Sequence, residues 1–128
     1  MYEAVTQGIR VSVTPLFLEH ESDDGRYIWA YTVIIANESE RTVQLRTRYW
    51  QITDAKGRTE EVRGPGVVGE TPLLEPGESF TYTSGCPLNE PRGMMVGSYG
   101  MVDADGTPFE VDIPAFSLDS PEGQTTLN

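Results

Sequence analysis

The chain has 128 residues, one histidine, and 20 acids against 9 bases, for a formal charge of −11. That length suits one domain, and the acidic balance makes nucleic acid an unfavourable partner, since affinity for it rests on neutralising phosphates with Lys and Arg. A single cysteine, Cys86, excludes an intrachain disulfide and suits a reducing compartment, so a cytoplasmic location is expected.

The N-terminal Met-Tyr-Glu-Ala-Val-Thr-Gln lacks the basic-then-apolar pattern of a secretory signal. In the next run Ile9, Val11 and Val13 alternate with Arg10, Ser12 and Thr14, the period of a half-buried strand, until Pro15 interrupts it. Glu19 to Gly25 is an acidic loop. Arg26 to Asn37 reads as the strongest strand, apolar on both faces and therefore interior to its sheet. Its core, Tyr27 to Ala36, is the longest run free of charged and turn residues. That run is far short of the about 20 apolar residues of a membrane-spanning helix, and no membrane insertion is expected.

After a turn at Asn37 to Glu40, Val43, Leu45, Thr47, Tyr49 and Gln51 alternate with Gln44, Arg46, Arg48, Trp50 and Ile52. Unbroken alternation predicts that the arginine face meets solvent. Asp54-Ala55-Lys56-Gly57 is a hairpin turn with glycine at the left-handed position, and Thr59 to Val62 returns. A Gly-rich loop follows. Glu75-Pro76-Gly77-Glu78 fits a type II turn, Phe80 to Thr83 a short strand, and Met94 to Val102 pairs with Phe109 to Ile113 across Asp103-Ala104-Asp105-Gly106. About seven strands without helical periodicity predict an all-β fold: an immunoglobulin-like or fibronectin type III-like sandwich of antiparallel strands, with a small barrel as the alternative. A single domain over residues 1–119 and a frayed polar tail over 120–128 are expected.

Three places carry candidate chemistry. Gly64, Gly66 and Gly69 form a literal G-x-G-x-x-G, but no helix follows it and Pro65 lies inside it, so the dinucleotide-binding reading fails. A non-helical nest of N–H groups over Gly64, Gly66 and Gly69, with Arg63 as counter-charge, remains a candidate phosphate site. His20, Glu21 and Asp23, within Glu19-His20-Glu21-Ser22-Asp23-Asp24, are weak candidate metal ligands, their contiguous spacing being that of a solvated loop. Asp103 and Asp105 superficially suggest a calcium loop, yet the later ligands are missing and a hairpin turn accounts for them. Catalysis lacks a constellation, because Cys86 has no second histidine to activate it and His20 sits in a loop. No cofactor is expected. Trp50, Tyr49, Arg46, Arg48 and Arg63 make the basic, aromatic neighbourhood in which an anionic ligand or a partner is sought, residues 41–63 holding six bases against three acids.

Residues Val62 to Leu118 resemble the ApaG family. The resemblance rests on Glu-Val-Arg-Gly-Pro-Gly-Val-Val-Gly at 61–69, Pro-Leu-Leu-Glu-Pro-Gly-Glu-Ser-Phe-Thr-Tyr-Thr-Ser-Gly at 72–85, Gly-Ser-Tyr at 97–99 and Phe-Glu-Val-Asp-Ile-Pro-Ala-Phe-Ser-Leu at 109–118, with Trp29-Ala30-Tyr31-Thr32-Val33 and Arg48-Tyr49-Trp50 upstream. Tyr49 departs from the histidine often found before that tryptophan, which argues against a metal role there. Asn89 to Gly93 departs from the commoner Thr-Pro-x-Gly. The resemblance implies a fibronectin type III-like sandwich without established enzyme activity or catalytic residues, similar to domains that look like interaction modules in eukaryotic F-box and polymerase-interacting proteins. A protein partner of unknown identity is therefore expected, and a homodimer is compatible with exposed strand edges. The family is named for cobalt and magnesium resistance or efflux. A chain with no membrane span and no thiolate-imidazole cluster cannot itself move ions, so that link is expected to be indirect.

Overall fold

Alternating β-branched and aromatic residues between Gly, Pro and Asp turns fold as the pattern dictates: the elements among the described residues are strands and a 3-10 turn at Glu19–Glu21. The computed structural model describes residues 1–23 and 25–121. Among these the strands are β1 (Tyr2–Thr6), β2 (Ile9–Phe17), β3 (Tyr27–Asn37), β4 (Val43–Asp54), β5 (Thr59–Pro65), β6 (Leu73–Leu74), β7 (Ser79–Leu88), β8 (Arg92–Asp103) and β9 (Pro108–Asp119). One sheet runs β1-β2-β3-β7. The other runs β5-β4-β8-β9, with β6 also on β4, and all pairings are antiparallel. The fold is a β-sandwich.

Two strands exceed the expected seven. β1 contains Glu3 and turns into β2 through Gln7 and Gly8, both at positive φ (49° and 82°), and glutamine gives little sequence signal for such a turn. β6 is two residues long. β3 lies inside its sheet as its composition predicts, sending Tyr27, Trp29, Tyr31, Val33 and Ile35 into the core. Pro15 falls beyond the Tyr2–Val13 pair that ends β1, where β2 has no neighbour on that side to bond its missing N–H.

The expected faces of β4 need correction. A bulge shifts the β4–β8 register between Leu45 and Thr47, and one extra residue flips every side chain beyond it. Val43 and Leu45 face the core before the bulge, and Trp50, 3% exposed, does so after it. Arg48, two residues from Trp50, shares that inward face, so the two expected solvent-facing arginines part company. Ser120, where the expected tail begins, is buried and donates to the Pro91 carbonyl at 2.8 Å, and residues 122–128 of that tail lie outside the described residues.

The two long sides of the sandwich are built differently. On one, β1 lies over β9: the Tyr2 ring packs on Phe116 at 6.0 Å, its hydroxyl meets Ser117 Oγ at 3.1 Å, and the Asp112 N–H donates to Thr6 Oγ1 at 3.1 Å. On the other, β5 and β7 each end their sheet as an edge. The Gly-rich segment leaves the β4 edge between β5 and β6 and folds across this second side.

Candidate functional site

The segment that carries the glycines is a tight turn held by its own backbone. Gly66 N–H donates to the Arg46 carbonyl at 2.9 Å, and Val67 and Glu70 exchange two N–H···O bonds of 2.8 Å. Between them Val68 and Gly69 have φ of 43° and 81°, the pair of positive values that defines a type I′ turn. A β-branched residue is strained there. Gly66, at φ 61°, has no room for a side chain, since a Cβ would strike the Glu70 carbonyl. Val67 is 1% exposed and pins the turn to the core.

Arg48 holds this turn from inside. It pairs across β4–β5 with Gly64, and the absent side chain leaves room for the guanidinium, whose atoms lie 3.0–3.1 Å from where a Cβ would sit. From there Arg48 Nη1 donates to the carbonyls of Pro65 at 2.8 Å and Gly66 at 3.0 Å. Arg63, the expected counter-charge, points the other way. It stacks on the Tyr49 ring at 4.3 Å and pairs with Glu61 at 3.3 Å, and the Tyr49 hydroxyl donates to that same carboxylate at 2.7 Å. The basic, aromatic neighbourhood is thus divided by the sheet, with Tyr49 and Arg63 outside, Arg48 and Trp50 inside, and Arg46 exposed at the bulge. Of the candidate phosphate set, Gly64, Gly66 and Gly69 lie close together around Arg48 and the turn, and Arg63 stands apart. The N–H groups of Gly66, Val67 and Glu70 are committed to carbonyls. Those of Val68 and Gly69 have no backbone partner among the described residues.

Beneath the turn, Tyr31 of β3, Arg48 and Trp50 of β4, and Tyr82 and Ser84 of β7 join Val67, Val68 and Gly69 around a cavity of about 220 Å³. The Tyr31 and Trp50 rings meet edge to face at 5.2 Å. The Tyr82 and Tyr99 hydroxyls bond each other. Burial is the leading cause that raises the proton affinity of Tyr31, Tyr82 and Tyr99 above that of an ordinary phenol, so all three remain neutral O–H groups at physiological pH. Cys86, next along the inner face of β7, is 3% exposed, and burial pushes its thiol up to about 11. A thiol so protonated is a poor nucleophile.

The other candidates disperse. His20, Glu21 and Asp23 are exposed on and after the 3-10 turn, and among the described residues no group of three His, Cys, Asp or Glu side chains is arranged to hold a metal ion. Asp103 Oδ1 accepts the N–H groups of Asp105 and Thr107 at 2.9 and 3.1 Å, and Oδ2 pairs with Arg41 at 3.3 Å. That is a hairpin turn, and the Asp54 turn repeats it with Lys56 and Arg58. Arg48 belongs to the basic, aromatic neighbourhood the sequence marks, but its inward orientation was hidden from a sequence reading. Its signal was Trp50: a tryptophan placed in the core carries its i−2 neighbour inward with it.

A profile of the ApaG domain matches residues 18–103. The chain belongs to the ApaG family. It is 64% identical over 130 aligned positions to Protein ApaG of Brucella anthropi and 62% identical to Protein ApaG of Rhodospirillum centenum, each pair covered in full. A crystal structure of the ApaA protein of Bordetella pertussis superimposes with a TM-score of 0.85 at 48% identity, covering 94% of this chain and 96% of the other. Among the described residues no helix is long and apolar enough to cross a membrane.

This ApaG-family sandwich guards its strand edges unequally. Glu3 marks β1, Glu60, Glu61, Arg63 and Pro65 mark β5, and Glu110, Asp112 and Asp119 mark β9. Charges and prolines of this kind blunt edge-to-edge pairing. β7, ten residues from Ser79 to Leu88, has no charged residue along its whole length, and its one proline, Pro87, stands next to its C-terminal end. Its outward positions Thr81, Thr83, Gly85 and Pro87 are all exposed, beside Thr32 and the 38% exposed Ile34 of β3.

Proposed function

We propose that this chain is a non-catalytic interaction domain that takes an extended segment of a partner protein as a fifth strand on β7. The observation that carries the reading is the uncharged ten-residue edge of β7 in a chain of net charge −11 whose three other edges are guarded. Strand addition draws affinity from main-chain hydrogen bonds along such an edge and specificity from alternate side chains. Thr81, Thr83 and Gly85 would meet the partner on the outer face, and Tyr82 and Ser84 on the inner. The buried, protonated Cys86 supports a role without covalent chemistry. This is a reading of a cytoplasmic domain, and any bearing on cobalt or magnesium resistance runs through the partner.

The test is affinity capture with the full chain beside a Thr81→Lys/Thr83→Lys double variant, with light scattering on both. A specific partner retained by the parent and lost by the folded variant supports the reading. Equal capture by both overturns it. A parent that is dimeric in light scattering and becomes monomeric in the variant identifies the added strand as that of a second copy.

A further inference from the structure

The cavity under the Val67–Gly69 turn is lined by hydrogen-bond donors and, among the described residues that line it, by a single charged group, Arg48. No carboxylate lines it, although the chain holds 20 acids. Nη1 of Arg48 is occupied by the Pro65 and Gly66 carbonyls, which fix the plane of the guanidinium. Nε and Nη2 have no partner among the described residues, and two parallel N–H donors in one plane match the two oxygens of a carboxylate or phosphate group. The Tyr82 and Tyr99 hydroxyls bond each other and either can be the donor; where Tyr99 donates, the Tyr82 proton is left for the cavity, which Tyr31 and Ser84 also line. At the mouth, the N–H groups of Val68 and Gly69 add two further donors without a backbone partner among the described residues.

We propose that this crevice binds a compact oxyanion, a phosphate or carboxylate group, with Arg48 gripping two of its oxygens and the hydroxyls of Tyr31 and Tyr82 orienting it. The volume of about 220 Å³ lies below the roughly 300–1,000 Å³ of sites that enclose drug-sized ligands. It therefore selects a small anion or the anionic end of a larger molecule and excludes an enclosed nucleoside. The site uses the inward Arg48 and the phenols, not Arg63; it shares Tyr82 and Ser84 with the inner face of the β7 edge, and a titration of the chain without a protein partner separates anion binding from strand addition.

The test is an amide-shift titration of the full chain with inorganic phosphate, pyrophosphate and malonate in separate arms, against sodium chloride at matched ionic strength. Saturable shifts at Val67, Val68, Gly69 and Ser84, with the Arg48 Nε–H moving alongside them, are expected. The arm that saturates first tells phosphate from carboxylate. Arg48→Lys keeps the charge and removes the fork, and should weaken binding about tenfold or more. Tyr82→Phe keeps the ring and should weaken it by a smaller factor, which serves as the readout if the lysine variant loosens the turn. Shifts that follow ionic strength and spread over Arg41, Arg46 and Arg58 overturn the proposal, as does unchanged affinity in both variants.

Discussion

The closed β1/β9 side and the open β5/β7 side solve one problem with different materials. Both must cover the flank of a two-sheet core. On the closed side a strand lies across the gap and aromatic packing seals it, with Tyr2 on Phe116 and Phe116 against Trp50 at 5.9 Å. On the open side the cover is a backbone turn, tied down by Val67 and by one guanidinium bonded to two carbonyls. Apolar burial is non-directional and tolerates no opening, whereas a polar strut leaves a cavity lined with donors. The difference separates a flank that holds the fold together from one able to receive something.

The largest contrast should come from Phe116, which is fully buried. Phe116→Ala is expected to cost about 3–5 kcal/mol in urea unfolding. A cost near zero would mean that the closed side is not the structural one. Next comes alkaline pH. Cys86, Tyr31 and Tyr82 are acids whose folded-state proton affinity is raised, so above the unfolded thiol's ordinary range the folded chain holds more protons than the unfolded one. Stability should then be full below pH about 9 and decline on the order of 2 kcal/mol towards pH about 11 from the thiol alone, with the phenols adding to it. Cys86→Ala should flatten the thiol's part of that decline in pH-dependent denaturation curves.

Arg48→Ala should be milder globally and more pointed locally. Losing the strut is expected to cost about 1–3 kcal/mol and to speed amide exchange at residues 66–70 while the β1/β9 amides stay protected. Equal loss of protection on both sides would remove the distinction between them. The smallest effect should be a gain. Val68→Asn places Asn-Gly in a type I′ turn that now holds a β-branched residue at φ 43°, and should raise stability by about 0.5–1 kcal/mol, read from the thermal midpoint.

What the sequence disclosed follows from what each residue signals locally. β3 announced itself through ten residues of alternating apolar side chains, and the Asp54 and Asp103 hairpins through an aspartate followed three residues later by glycine. β1 stayed hidden because Glu3 and Gln7 are weak strand and turn formers. The bulge at Arg46 left no local mark, since an added residue in a strand changes the faces without changing the composition. That single insertion decides the candidate site: it turns Arg48 inward and leaves Arg63 outside, so the glycines and the basic neighbourhood were legible, and which of its arginines stands beside the glycines was not.

We propose β7 as the edge that receives a partner. A photo-crosslinking residue at Thr83, compared with one at the similarly exposed Asp112 on the β9 edge, tests it most directly in cells. A crosslinked polypeptide of discrete mass is expected from position 83, lost when Thr81 is also changed to lysine, and none from position 112. Crosslinking from 112 but not 83, or equally from both, would contradict it.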